Sequence, residues 1–211
     1  MKSTFKRIKD LVRGRYDYQR KRQLGNEERW RMIQDRSVGA RSLLDVGCNT
    51  GRLTAWAAEK GLFALGLETN WDALAAARRQ CKPNLSLAFM HFLVTPDNVE
   101  ALPVGDVVLC LSVYHQWHKN FGHDGAQKIL KTLGAKAQRW LFFEPASKQS
   151  KYGSTPPNFT DRDERSIVDY NLKMLSALFG EKNVDFLGAT AAGRSEPFRY
   201  LFAIQMQPPL A

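Results

Sequence analysis

Between Leu43 and Thr54 the chain reads L-L-D-V-G-C-N-T-G-R-L-T, and within it Asp45, Gly47 and Gly51 stand at a spacing suited to capturing a nucleoside. Gly47 and Gly51 are expected to let backbone approach a ligand where a Cβ would obstruct it, and a helix opening after them would offer unpaired N–H groups. A dinucleotide fingerprint would read G-x-G-x-x-G, whereas here the pattern is Asp45-x-Gly47-x-x-x-Gly51, with an acid ahead of the first glycine. That acid would repel a pyrophosphate and suits a cation. About 20 residues beyond the loop, G-L-E-T-N ends a β-rich run, and Glu68 stands where a carboxylate can accept hydrogen bonds from both ribose hydroxyls.

A nucleoside that presents positive charge to such a loop is S-adenosylmethionine, through its sulfonium and ammonium groups. The two segments together resemble motifs I and II of class I S-adenosylmethionine-dependent methyltransferases. The resemblance implies cofactor contacts from Asp45, Gly47, Cys48, Asn49 and Gly51, then from Glu68 and Thr69, and from Leu111 and Ser112 at the end of the fourth strand. Asn70, His91 and Phe92 are expected to border the adenine.

Three of the four histidines fall in D-V-V-L-C-L-S-V-Y-H-Q-W-H-K-N-F-G-H-D-G, Asp106 to Gly125. His115 and His118 have no cysteine or paired carboxylate beside them at zinc spacing, so no metal is expected. A loop histidine is more often a packing residue; Tyr114, His115 and His118 are nonetheless the catalytic candidates, with a histidine base required only for a hydroxyl acceptor. Lys119, Lys148 and Lys151 are expected near the same rim. The segment is similar to that of the Bin-type RNA 5′-phosphate methyltransferases, the methylphosphate capping enzymes, at His118, Asn120, Gly122 and Asp124-Gly125. F-E-P at Phe143 to Pro145, Tyr152-Gly153 and Tyr200-Leu201-Phe202 resemble further segments of that family. The resemblance implies acceptor contacts from Asn120, Glu144 and Tyr152, and from Tyr16, Tyr18 and Arg20 in G-R-Y-D-Y-Q-R, which matches a tyrosine-rich segment that covers substrate.

The elements that must position these residues alternate regularly. A helix is expected from about Asn26 to Ser37. Strands are read at Ser42–Val46, Phe63–Leu67, Leu85–Phe89, Asp106–Leu111 and Trp140–Phe143, with helices near Arg52–Lys60, Trp71–Gln80 and Gly125–Ala137. Alternation implies a parallel sheet covered on both faces. A helix from Thr160 to Gly180 and two consecutive strands, Val184–Ala189 and Phe198–Gln205, end the pattern as an antiparallel pair. The expectation is a Rossmann-like α/β class I methyltransferase fold: a mostly parallel seven-stranded sheet with an antiparallel C-terminal strand. Residues 26–211 form the catalytic domain and residues 1–25 a basic amphipathic arm.

At 211 residues, 44% hydrophobic and 25% charged, the composition is that of one globular domain, and no run approaches a transmembrane helix. Three well-separated cysteines read as buried thiols, and with no secretory signal the expected location is the cytoplasm. The net charge is +10, and thirteen Lys/Arg stand against five Asp/Glu before residue 42. Such an arm is a solvated tail, or a contact for RNA or an anionic membrane surface. Three functions follow: O-methylation of a phosphate-bearing or otherwise anionic acceptor, methylation of a sugar, glycolipid or other small metabolite, and a non-catalytic binding module on the same fold.

Overall fold

A computed structural model describes residues 25–191 and 198–206. The expectations placed on residues 1–24, including Tyr16, Tyr18 and Arg20, lie outside the described residues.

Seven strands form one sheet: β1 (Ser42–Val46), β2 (Phe63–Glu68), β3 (Leu87–His91), β4 (Gly105–Leu111), β5 (Ala137–Glu144), β6 (Val184–Ala191) and β7 (Phe198–Gln205), in the order β3-β2-β1-β4-β5-β7-β6. The first five run parallel, and β7 lies antiparallel between β5 and β6. Central β4 is buried along its whole length, as a strand covered on both faces must be, whereas edge strand β3 alternates between half-buried and exposed.

Helix α1 over 25–36 and α2 (Arg52–Glu59) cover one face, where Trp30, Ile33 and Ala57 meet Leu43, Val107, Leu109 and Phe142. Helix α4 (Tyr114–Lys136) and α5 (Glu164–Phe179) cover the other, where Ile129, Leu130, Ile167 and Leu175 meet Leu44, Val108, Leu141 and Phe143. Successive strand residues thus feed opposite cores, which fixes register. The lower ends of β1 and β4 are locked reciprocally: Asp106 Oδ2 accepts from the Ser42 N–H at 3.2 Å, and Ser42 Oγ accepts from the Asp106 N–H at 2.9 Å. Helix α3 (Trp71–Gln80) begins at Asn70, whose Oδ1 accepts from the Asp72 and Ala73 N–H groups.

Several expected bounds shift. Strand β3 begins two residues later than expected, β5 begins at Ala137 rather than Trp140, and α5 begins at Glu164 behind the N-cap Asp163 rather than at Thr160. The helix expected at Gly125 begins at Tyr114, so the stretch read as a histidine-bearing loop is helical. Gly122, at φ 72° and ψ −179°, kinks α4 between its two halves, and that local break is what Gly and Asp-Gly in the sequence record.

Packing, too, requires the glycines of the loop. A Cβ on Gly47 would lie 2.2 Å from Val113 Cγ1, and one on Gly51 2.4 Å from the Phe89 ring, while both residues have positive φ. These glycines make room for the protein's own side chains. Gly51→Ala is therefore expected to destabilise the fold by about 2–4 kcal/mol, combining left-handed strain with overpacking, as read from denaturant unfolding.

Candidate active site

The strand order reverses between β1 and β4, and a crevice of about 460 Å³ opens beyond their carboxyl ends. The glycine loop forms one side. Its backbone is tied to β2 by the Gly47 and Cys48 N–H groups, which both donate to the Leu67 carbonyl at 2.8 and 2.9 Å.

Asp45 ends β1 on the floor, 4% exposed, and accepts from Thr54 Oγ1 at 2.7 Å. Burial raises its carboxyl pKa from 3.8 to about 6, against the lowering effects of the Thr54 hydrogen bond and Arg29. Glu68 accepts from the Asn49 N–H through Oε2 and from the Thr69 and Asn70 N–H groups through Oε1, each at 2.8 Å. It therefore holds the glycine loop and the end of β2 in one geometry. Cys48 lines the same wall, where burial first, and then the charges of Asp45 and Glu68, push its thiol pKa up.

Of the expected cofactor residues, Asp45, Gly47, Cys48, Asn49, Glu68, Thr69, Phe92, Leu111 and Ser112 line the crevice. Gly51, Asn70 and His91 do not. Gly51 packs on Phe89, Asn70 caps α3, and His91 stacks on Trp71 with centroids 3.9 Å apart while its Nε2 contacts the Thr69 carbonyl at 2.8 Å.

The catalytic candidates are also placed elsewhere. Tyr114, His115 and His118 are buried and turn from the crevice toward Tyr152: His118 Nδ1 lies 3.0 Å from the Tyr152 carbonyl, and the His115 and His118 rings meet the Tyr152 ring. Burial pushes the Tyr114 hydroxyl pKa up. Tyr152, expected to contact the acceptor, is buried and donates its hydroxyl to the Ala146 carbonyl. Because the segment is helical, the residues facing the crevice are Val113, Gln116, Trp117, Asn120 and Phe121, at spacings of three and four. Only Asn120 among them was anticipated.

The expected lysines are absent from the described wall, and its cations are Arg29, Arg52 and Arg199. Arg29 and Arg199 share a carboxylate. Glu144, fully buried at the end of β5, lies 2.8 Å from Arg29 Nη1 and 3.6 Å from Arg199 Nη1, and it accepts from the Ser112 hydroxyl. Glu144 sits behind the wall rather than on it, so its partners carry its influence into the crevice. Ser112 holds a left-handed φ of 58° at the end of β4, with its N–H on the Glu144 carbonyl at 2.9 Å. Arg29 Nη2 also donates to Asn26 Oδ1 at 2.6 Å, while its buried Nε meets no acceptor among the described residues. Among those residues no three His, Cys, Asp or Glu side chains gather as a metal site, and no helix is long and apolar enough to cross a membrane.

Residues 44–134 match the family model described as a methyltransferase domain. No curated protein matches the sequence. Among solved structures, WbdD is similar with a TM-score of 0.64 and 19% identity over 84% of this chain and 39% of its own, so the chain spans about two fifths of WbdD. The magnesium protoporphyrin IX methyltransferase ChlM of Synechocystis PCC 6803, solved with bound S-adenosylmethionine, is similar with a TM-score of 0.60 and 14% identity over 90% of this chain and 84% of its own. The N-terminal domain of EvdMO1, solved with S-adenosylhomocysteine, gives a TM-score of 0.55 and 15% identity over 85% and 80%. The fold is the Rossmann-like fold of these methyltransferases.

The buried and exposed ion pairs should respond differently to loss of one partner. Arg29→Met is expected to cost about 3–5 kcal/mol, because it leaves the buried Glu144 short of its nearer cation. Arg36→Met, which breaks the exposed pair with Asp185, is expected to cost less than about 1 kcal/mol in the same denaturation experiment.

Proposed function

We propose that the methyltransferase domain of this chain transfers the methyl group of S-adenosylmethionine to an oxygen of an anionic, phosphate-bearing acceptor, with an RNA 5′-phosphate as one candidate. The observation that carries this reading is the set of three guanidinium groups, Arg29, Arg52 and Arg199, on the crevice wall. Guanidinium groups suit an acceptor oxygen that already bears negative charge, and such an oxygen needs no general base.

The wall fits the cofactor. Its amino-acid portion is a zwitterion, and the crevice offers both complements: the Asp45 carboxylate for an ammonium group, and the orphaned Nε–H of Arg29 for a carboxylate. Glu68 and Thr69 would hold the ribose, and Phe92 would lie against the base. Bound S-adenosylmethionine supplies a methyl group on a sulfonium, and its transfer to an anionic oxygen forms the O–C bond and leaves the C–S electron pair on sulfur, with no proton moved. The protein's task is to align the acceptor and exclude water, for which Trp117, Phe121 and Leu111 provide an apolar rim and Gln116 and Asn120 neutral hydrogen-bonding groups.

Acceptor charge is supported from outside the chain as well. WbdD is described as a bifunctional kinase-methyltransferase, and a kinase product carries a phosphoryl group. The aromatic residues Trp117, Phe121 and Phe92 favour a second reading, in which the acceptor is a sugar, glycolipid or small metabolite with an apolar body. A non-catalytic module is disfavoured by the joint presence of Asp45, Gly47, Gly51 and Glu68. If RNA is the acceptor, the basic segment 1–25 would contribute to its binding; if a lipid, the same segment would meet the membrane surface.

Methyl transfer from labelled S-adenosylmethionine to a 5′-phosphorylated RNA, its unphosphorylated twin and a panel of phosphorylated sugars tests the acceptor. Labelling only of phosphate-free substrates would end the anionic reading, and RNA binding should weaken steeply with salt. His115→Gln and His118→Gln are expected to retain activity within about threefold, since a general base contributes 10²-fold or more. Titration of S-adenosylmethionine should show affinity falling below about pH 6, by up to about tenfold per unit, as the raised Asp45 carboxyl takes up its proton; Asp45→Asn should bind more weakly at pH 8 and lose that dependence. Glu68→Ala should weaken the same binding by about 1–3 kcal/mol.

A further inference from the structure

The strand connections are unequal. Full helices link β1 to β2, β2 to β3 and β4 to β5, whereas the chain returns from edge strand β3 to β4 through a single 3₁₀ turn, Val99–Ala101. Ala88 and Met90 of β3 stay exposed as a result. Four of the eight large apolar side chains exposed among the described residues fall between residues 71 and 93, so exposed apolar surface is concentrated at this edge: Trp71 at 63%, Leu85 at 107%, Met90 at 40% and Leu93 at 55%.

These side chains share one strip. Trp71, at the start of α3, stacks on His91 at the end of β3, and two turns further along α3 Arg78 Nη2 donates to the Phe89 carbonyl at 3.2 Å. Below that contact Arg78, Lys82, Pro83, Leu85, Leu87 and Phe89 line a shallow groove of about 410 Å³ that has no carboxylate in its wall. At the other end Leu93 carries the strip to the crevice, whose rim it also lines. From Leu85 to Leu93 an extended path covers roughly 25 Å. The cations of the segment are Arg78, Arg79 and Lys82, and its acid is Asp72 alone. The indole is held in place from behind: His91 Nε2 donates to the Thr69 carbonyl at 2.8 Å, which fixes the imidazole on which Trp71 rests, parallel to within 5°.

We propose that this α3–β3 strip seats the protein on an anionic lipid surface, whichever atom is methylated. Aliphatic side chains and an indole set among lysine and arginine suit the headgroup layer, where the apolar groups enter and the cations meet lipid phosphates. Other occupants fit less well. A nucleic acid would stack its bases on planar rings, and Leu85, Met90 and Leu93 offer none. A second copy related by a two-fold axis would set Arg78, Arg79 and Lys82 against themselves, and Arg78 already covers one carbonyl of the strand edge.

Fluorescence of the full chain, titrated with vesicles of brominated phosphatidylcholine with and without phosphatidylglycerol, tests the assignment. Trp71 is the exposed tryptophan among the described residues, and residues 1–25 contain none, so quenching by brominated chains reports the strip and not the basic arm. The anionic vesicles are expected to quench the wild type, and Trp71→Phe to lose the quenching while still binding. Leu85→Glu should weaken binding to these vesicles about tenfold or more, and Lys82→Gln about fivefold. Both variants should keep the wild-type affinity for S-adenosylhomocysteine, which reports that they fold. Binding without quenching, or equal binding by wild type and Leu85→Glu, would assign the contact to the arm and overturn the role of the strip. A wild type that ignores anionic vesicles would overturn it too, as would a dimer in sedimentation that Leu85→Glu dissociates while vesicle binding is unchanged.

Discussion

A single buried carboxylate organises the working end of this fold. The Glu144 carboxylate receives the Arg29 guanidinium from α1, the Ser112 hydroxyl from the end of β4 and the Arg199 guanidinium from β7, and it belongs to β5. Four elements are tied to one side chain with no exposed surface. A charge so placed is tolerated only when its partners surround it, so each of those elements is held where its donor reaches. The crevice takes its shape from this requirement: α1 is drawn over it, β4 must end in a left-handed residue, and β7 must begin beside β5.

The opposite wall rests on a different kind of constraint. Gly47 clears Val113 and Gly51 clears Phe89, so the turn from β1 into α2 is a steric fit between the loop and its neighbours, and Glu68 closes it with three backbone hydrogen bonds. Asp45, Glu68 and Arg52 stand on the side of β1, β2 and α2, and Arg29 and Arg199 gather around Glu144 on the side of β5 and β7.

The sequence disclosed the sheet because its signals were local. Continuous apolar runs marked β1 and β4, and the two adjoining strands read at Val184–Ala189 and Phe198–Gln205 foretold the antiparallel end. That Asp45, Gly47 and Glu68 meet at one crevice was legible because they stand at the ends of adjoining strands β1 and β2. The start of α4 was not. Gly122 and Asp124-Gly125 read as loop, although Val113, Gln116, Trp117, Asn120 and Phe121 carry the helical period. The helix buries His115 and His118 against Tyr152. The arginines were missed for another reason: Arg29 and Glu144 are 115 residues apart, and no local pattern announces a long-range buried pair.

Cys48 sits in the wall of a crevice suited to an activated methyl donor, where a thiolate would be a hazard to the enzyme itself. Sulfur as an anion is the strongest nucleophile this wall could offer, and it would compete with any acceptor oxygen for the same carbon. Burial and the neighbouring carboxylates of Asp45 and Glu68 keep that sulfur protonated. The acidic groups on this wall therefore also keep the thiol between them from becoming a nucleophile.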